Sequence, residues 1–219
     1  MHKEELIMAD SIIFDLDGTI WDSIDTVILA WNETLKQSDH TEKQVTRHDF
    51  EDTMGLTMTD IGKKLFPELE EQAQISLLEK CGKAENGYIR QRGGALYPNV
   101  EKILDELSSS YKLFIVSNCQ DGYIEAFFDY HRLGHLFQDY ENPGRTGLPK
   151  GDNIKLIVER NQLVSPIYVG DTVGDANASK DANVPFVYAK YGFGNVAEFD
   201  ASIDDFNELL TLDYTTLAK

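Results

Sequence analysis

Residues 11–23 read SIIFDLDGTIWDS. The apolar run Ile12-Ile13-Phe14 predicts a short buried strand. It ends on Asp15 and Asp17, with one Leu between them, and Gly18-Thr19 follow as a turn. Side chains two residues apart on a strand project to the same side. This reading therefore places two carboxylates together in a chain whose formal charge is already -18, and such a pair calls for a compensating positive group.

Downstream of this stretch the pattern turns helical. Ile24, Val27, Ile28, Trp31 and Leu35 fall on one stripe, with Asp22 or Ser23 placed to cap its start. Thr46 before RHDFEDTMG, Thr57 or Thr59 before DIGKKLF, and PELEEQAQISLLEKCGKAENGYIRQ also read as helices, broken by Gly55 and Pro67. Residues 20–92 thus form an all-helical block, and RGGALYPNV at 92–100 has the glycines and proline of a linker. Beyond it helices and strands alternate, with strands in YKLFIVSN, LFQDYEN, PIYVGD and PFVYAK. The runs IIF, LFIV and IYV carry too few polar interruptions for a half-exposed sheet. They predict an α/β fold whose parallel sheet is covered by helices on both faces. Its core is expected from residues 1–19 and 93–219.

A length of 219 residues suits one domain plus an insertion. The 38 acidic against 20 basic side chains disfavour nucleic acid or an anionic membrane as partner. MHKEELIMAD has no signal-peptide core, and no run approaches the roughly 18 apolar residues of a membrane span. Cys81 and Cys119 stand far apart without metal-ligand spacing, so a reduced, cytoplasmic protein is expected, by default a monomer or weak homodimer.

In parallel α/β sheets ligands bind at the carboxyl ends of the strands. The first strand ends in Asp15 and Asp17, another in Ser117-Asn118, and a third in Gly170-Asp171-Thr172 with Asp175 four residues on. Lys150 precedes the helix that leads to this last strand, in GLPKGDN. Singly these are ordinary turn, cap and surface residues. Together they converge, and two unit charges ~4 Å apart repel by about 4 kcal/mol at an effective dielectric of 20. A hard divalent cation with all-oxygen ligands, Mg²⁺, would relieve that repulsion. The cation, Lys150, Ser117 and Asn118 would hold a phosphoryl group on which Asp15 and Asp17 act, one attacking and one moving protons.

FDLDGT, IVSN, Lys150 and VGDTVGD, in that order, resemble the haloacid dehalogenase superfamily. The resemblance is to its phosphatase branch with a helical cap, phosphoglycolate phosphatase-like. It implies a Rossmann-like core, a cap at residues 20–92, and Mg²⁺-dependent hydrolysis of a small phosphorylated metabolite through an aspartyl phosphate. Carried residue by residue, it makes Asp15 the nucleophile and Asp17 the general acid and base. It gives the metal to Asp15, the backbone carbonyl of Asp17 and Asp171, with Asp175 behind them. Ser117 and Lys150 bind phosphoryl oxygens, assisted by the backbone around Gly18. Many capped relatives have proline after the lysine, whereas here Gly151 follows and Pro149 precedes; Lys155, a turn into the expected helix, is the rival.

A dehalogenase would lack the second acid, which Asp17 supplies. A β-phosphoglucomutase-like sugar phosphomutase would carry Val or Ile at Thr19 and an arginine where Gly55-Leu56-Thr57 stands. A non-catalytic phosphate-binding protein would keep the fold alone. TMGLTMTDIG at 53–62 either reaches the substrate or makes a helix contact, and YGFGN at 191–195 is either a rim loop or a turn. Phosphoglycolate, a sugar phosphate, a nucleotide and pyrophosphate all remain compatible substrates.

Overall fold

The computed structural model describes residues 9–39 and 41–217; residues 1–8 and 218–219, at the ends of the expected core segments, lie outside it. The chain opens with β1 (Ser11–Phe14) and β2 (Trp21–Asp22), then runs through α1 (Ile24–Lys36), α2 (Arg47–Glu51), α3 (Met58–Leu65) and α4 (Glu71–Arg92). β3 (Ala95–Leu96), α5 (Val100–Ser108), β4 (Lys112–Val116), α6 (Tyr123–His131), β5 (Phe137–Glu141) and α7 (Pro143–Thr146) follow. The last elements are α8 (Lys150–Arg160), β6 (Pro166–Gly170), α9 (Val173–Asp181), β7 (Phe186–Ala189) and β8 (Ala201–Ile203).

Six strands pair in the order β5-β4-β1-β6-β7-β8, every neighbour parallel. The chain builds outward from β1 through β4 to β5, then returns to the other side of β1 with β6. Strand order therefore reverses around β1, and the ends of β4, β1 and β6 are adjacent. That is where a doubly wound sheet opens a crevice.

Alternation along the buried strands sorts the core into two layers. Ile12, Phe14, Leu113, Ile115, Ile167 and Val169 pack with α5 and α6 on one face, in an apolar cluster that continues into α1–α4. Ile13, Phe114, Val116 and Tyr168 pack with α8 and α9 on the other. Both faces are covered, which is why the strands read as unbroken apolar runs.

β2 and β3 form a separate antiparallel ribbon, Trp21 opposite Leu96 and Asp22 opposite Ala95. Both passages of the chain between sheet and helices run through it. Trp21 anchors the ribbon from below, packing edge-on against Phe127 and His131 of α6 with ring centroids 4.9 and 5.4 Å away. Cys81 and Cys119 are free and buried, and no helix among the described residues is long and apolar enough to cross a membrane.

His131 is half-buried beneath Trp21, with Nε2 lacking any hydrogen-bond partner. Burial lowers its pKa from 6.5 to about 4. Between those values the unfolded chain binds the extra proton, so folding free energy falls as pH drops through the window. We expect His131→Leu to reduce the loss of stability between pH 7 and pH 5 by about 1 kcal/mol, a value reduced for partial exposure. Urea midpoints of the two proteins at both pH values measure it; an equal acid sensitivity would remove His131 as the cause.

Candidate active site

β1 stops at Phe14. Asp15 is tied to β6 by its amide, which donates to the Val169 carbonyl at 2.8 Å, and its side chain is 4% exposed. The chain then turns, with the Ile20 amide donating to the Leu16 carbonyl, so Asp15 and Asp17 are not two steps of one pleat. This corrects the alternation argument: carboxylate oxygens of Asp15, Asp171 and Asp175 lie within 4.8 Å of one another, and the Asp17 carboxylate is not among them. Asp17 instead lines the same pocket as Asp15, with its Oδ1 accepting from Ser23 Oγ (2.6 Å) and Tyr123 Oη (2.8 Å).

Lys150 links the acids. Its Nζ donates to Asp15 at 2.8 Å and to Asp175 at 2.5 Å, with the lysine side chain 4% exposed. Lys150 is not a loop residue: Pro149 occupies the N-cap position and the lysine is the first residue of α8. Its rival Lys155 is exposed and pairs with Asp152 at the surface.

Asp175 is fully engaged. Thr172 and Asp175 form a capping box at the start of α9, with Asp175 Oδ2 accepting from the Thr172 amide (2.9 Å), Thr172 Oγ1 (2.7 Å) and the Asp171 amide (3.2 Å). Its Oδ1 takes Lys150 and the Tyr168 hydroxyl. With each oxygen already accepting, this carboxylate is placed to orient its neighbours. Asp171, by contrast, receives the Phe193 amide at 2.7 Å and a long contact from Thr19 Oγ1 at 3.4 Å.

YGFGN thereby gains a role that the sequence left open. A Cβ on Gly192 would sit 2.3 Å from the Asp171 Cβ and 2.5 Å from the Gly18 carbonyl oxygen, so only glycine lets this loop wrap Asp171. TMGLTMTDIG likewise reaches the strand ends. Gly55 adopts φ +76° against Thr172, and Asn118 Nδ2 donates to the Gly55 carbonyl at 2.9 Å. Asn118 thus ties the strand end to the helical segment while also lining the pocket, its Oδ1 without a hydrogen-bond partner. Ser117 is buried and lines the pocket, its hydroxyl making no hydrogen bond to the described residues.

Burial dominates the titration of the acids. It pushes Asp15 up to about 7 despite Lys150, with Asp175 and Asp17 adding to the rise. Burial and the charges of Asp175 and Asp15 push Asp171 well above the carboxylate range. Burial also raises Asp17, against the pull of Ser23 and Tyr123. For Asp175 burial is outweighed by Lys150 and Thr172, which hold it below its usual value. Three carboxylates facing one ammonium are short of positive charge, and every donor is a hard oxygen. The set fits a divalent cation of the Mg²⁺ type.

Tyr123 and Glu85 were absent from the sequence reading, and Ser23 was read only as a possible helix cap. Ser23 occupies the N-cap position of α1 without capping it, while Asp22 Oδ1 accepts the Ile24 amide. A serine beside a better cap was the available signal. Tyr123 looks like a residue of the apolar face of α6, and Glu85 like a solvated acid of α4.

Sheet order, site position and donor set together define a hydrolase of the haloacid dehalogenase-like class. Residues 12–189 match the haloacid dehalogenase-like hydrolase family, and the chain belongs to it. A phosphoglycolate phosphatase from Vibrio cholerae is 28% identical over 221 residues, covering 91% of this chain and 94% of that protein. Similar folds occur in a haloacid dehalogenase-like family hydrolase from Streptococcus pneumoniae (TM-score 0.76, 22% identity, 93% and 97% covered) and in a protein of the same class from Bacteroides fragilis (TM-score 0.80, 20% identity, 92% and 99% covered). Within the family the chain groups with the phosphatase branch.

Proposed function

We propose that the chain hydrolyses a small phosphorylated metabolite with Asp15 as nucleophile and Asp17 as proton carrier. The observation that carries this reading is the pairing of two differently built carboxylates in one pocket. Asp15 sits in the charged cluster with Lys150, Asp171 and Asp175, while Asp17 is held away from it by Ser23 and Tyr123. An acid meant to attack needs its charge, and one meant to donate needs its proton.

In the first step an Asp15 oxygen attacks phosphorus, the bond to the leaving alcohol breaks, and Asp17 delivers its proton to the departing oxygen. An aspartyl phosphate remains on Asp15. In the second step Asp17, now ionised, takes a proton from water as that water attacks phosphorus, releasing phosphate and restoring both carboxyls. Lys150 has a third N–H beyond those given to Asp15 and Asp175, and this with the Ser117 hydroxyl is available to phosphoryl oxygens. Asn118, which lines the same pocket, keeps a second Nδ2–H that can join them. Asp15, Asp171 and the carbonyl of Asp17 would hold Mg²⁺, with Asp175 orienting from behind. The cation supplies neutralisation of the charge that gathers on the phosphoryl oxygens.

Helices α1–α4 act in this reading as a cap. The pocket beneath them has a volume of about 60 Å³. Closure of its walls over a bound substrate keeps water from the first step. Such a chamber fits a small metabolite and no membrane or nucleic acid.

Phosphate release from an aryl phosphate tests the reading. We expect turnover with Mg²⁺, a fall of at least about a hundredfold on chelation, and recovery when Mg²⁺ is restored. Turnover indifferent to chelator would overturn the metal assignment.

A further inference from the structure

The pocket lined by Asp15 and Lys150 is also lined by Glu85 of α4, an acid that the hydrolytic steps do not use. Glu85 is 7% exposed. Its Oε2 accepts from the Trp31 indole N–H and its Oε1 from Gln120 Nε2 at 3.1 Å. Both donors are neutral, and among the described residues no cation pairs with it. Each carboxylate oxygen accepts one of these donors and keeps lone pairs free, on a residue that lines the pocket.

Most of the lining contributed by residues 27–61 is apolar, including Val27, Trp31, Phe50, Met54 and Met58. Lys150 is the only cation among the described lining residues, and it is committed to Asp15 and Asp175. A leaving group that ends in a carboxylate would therefore be desolvated beside Glu85 with no lining cation left to neutralise it. A terminus that donates hydrogen bonds finds free lone pairs on Glu85, because a carboxylate accepts about four bonds and two are filled.

Building on the phosphatase reading, we propose that Glu85 is a specificity-determining residue facing the leaving group. It selects phosphomonoesters of small alcohols whose far end is a hydrogen-bond donor, an amine or a hydroxyl, and rejects those ending in a carboxylate.

Four esters of nearly equal size separate the possibilities: 2-aminoethyl phosphate, 2-hydroxyethyl phosphate, ethyl phosphate and phosphoglycolate. For the native enzyme with Mg²⁺ we expect kcat/KM to fall in the order donor-ended, ethyl, phosphoglycolate, with at least about tenfold between first and last. Whether the amine or the hydroxyl leads identifies the source of the donor. Glu85→Gln keeps the size and removes the charge, giving up one of the two contacts to Trp31 and Gln120. It is expected to narrow the aminoethyl to phosphoglycolate ratio about tenfold, chiefly through KM. The readout is a ratio within one protein, so a folding defect that scales all four rates leaves it unmoved. Phosphoglycolate turned over ahead of the donor-ended esters, or a ratio unchanged in Glu85→Gln, overturns the assignment and leaves the hydrolase standing. No phosphate from any of the four overturns the hydrolase reading and the selectivity that rests on it.

Discussion

Asp15→Asn is expected to lower phosphate release by about four orders of magnitude or more while the protein stays folded. The reason is geometric. Asn keeps an oxygen to accept Lys150 Nζ, now 2.8 Å from Asp15, so the buried contact survives, but an amide oxygen does not attack phosphorus. Folding is checked by thermal unfolding and turnover by phosphate release. A second measurement tests the covalent route directly: acid quenching of the native enzyme during turnover should trap protein-bound phosphate that Asp15→Asn lacks. A variant within tenfold of native turnover would end the nucleophile assignment.

Lys150→Met should cost both stability and activity. The lysine lies among Asp15, Asp171 and Asp175, and burial alone would lower its pKa; the charges of Asp15 and Asp175 hold it above the usual lysine range instead. Removing one partner of a buried ion pair leaves uncompensated charge and costs about 3–5 kcal/mol. For a chain of this size that is roughly a 10 °C drop in Tm. Because the deficit is one of positive charge, added Mg²⁺ should recover more Tm in Lys150→Met than in the native protein. Equal Mg²⁺ shifts in the two proteins would mean that lysine and cation do not serve the same carboxylates.

The parallel sheet was legible because both of its faces are covered, so IIF, LFIV and IYV had to be apolar throughout. β8 was missed for the opposite reason. Ala201–Ile203 is three residues long, only Ile203 is buried, and acids flank it, so no apolar run marks it. The ribbon strands β2 and β3 are two residues each and fall below any sequence period.

In the site, Asp15, Lys150, Asp171 and Asp175 were legible as polar residues at ends of apolar strands, and the structure gathers them. Asp17 was placed on the wrong side because the strand ends sooner than its pattern suggests. Glu85 could not have been singled out, since what distinguishes it from the other acids of α4 is contact with Trp31 and Gln120, more than thirty residues away in either direction. The contact of Asn118 to Gly55 was not legible, because its partner is a backbone carbonyl, which every residue offers alike.

The β2–β3 ribbon has a consequence for how such a protein diversifies. The two ends of the α1–α4 segment already lie side by side in it, so strand pairing in the sheet does not depend on the length of what lies between them. Lengthening a tethered segment twofold adds only about 0.6 kcal/mol of closure cost. On the proposed reading, changes in these helices would alter the molecules admitted while β1, β4 and β6 keep their pairing.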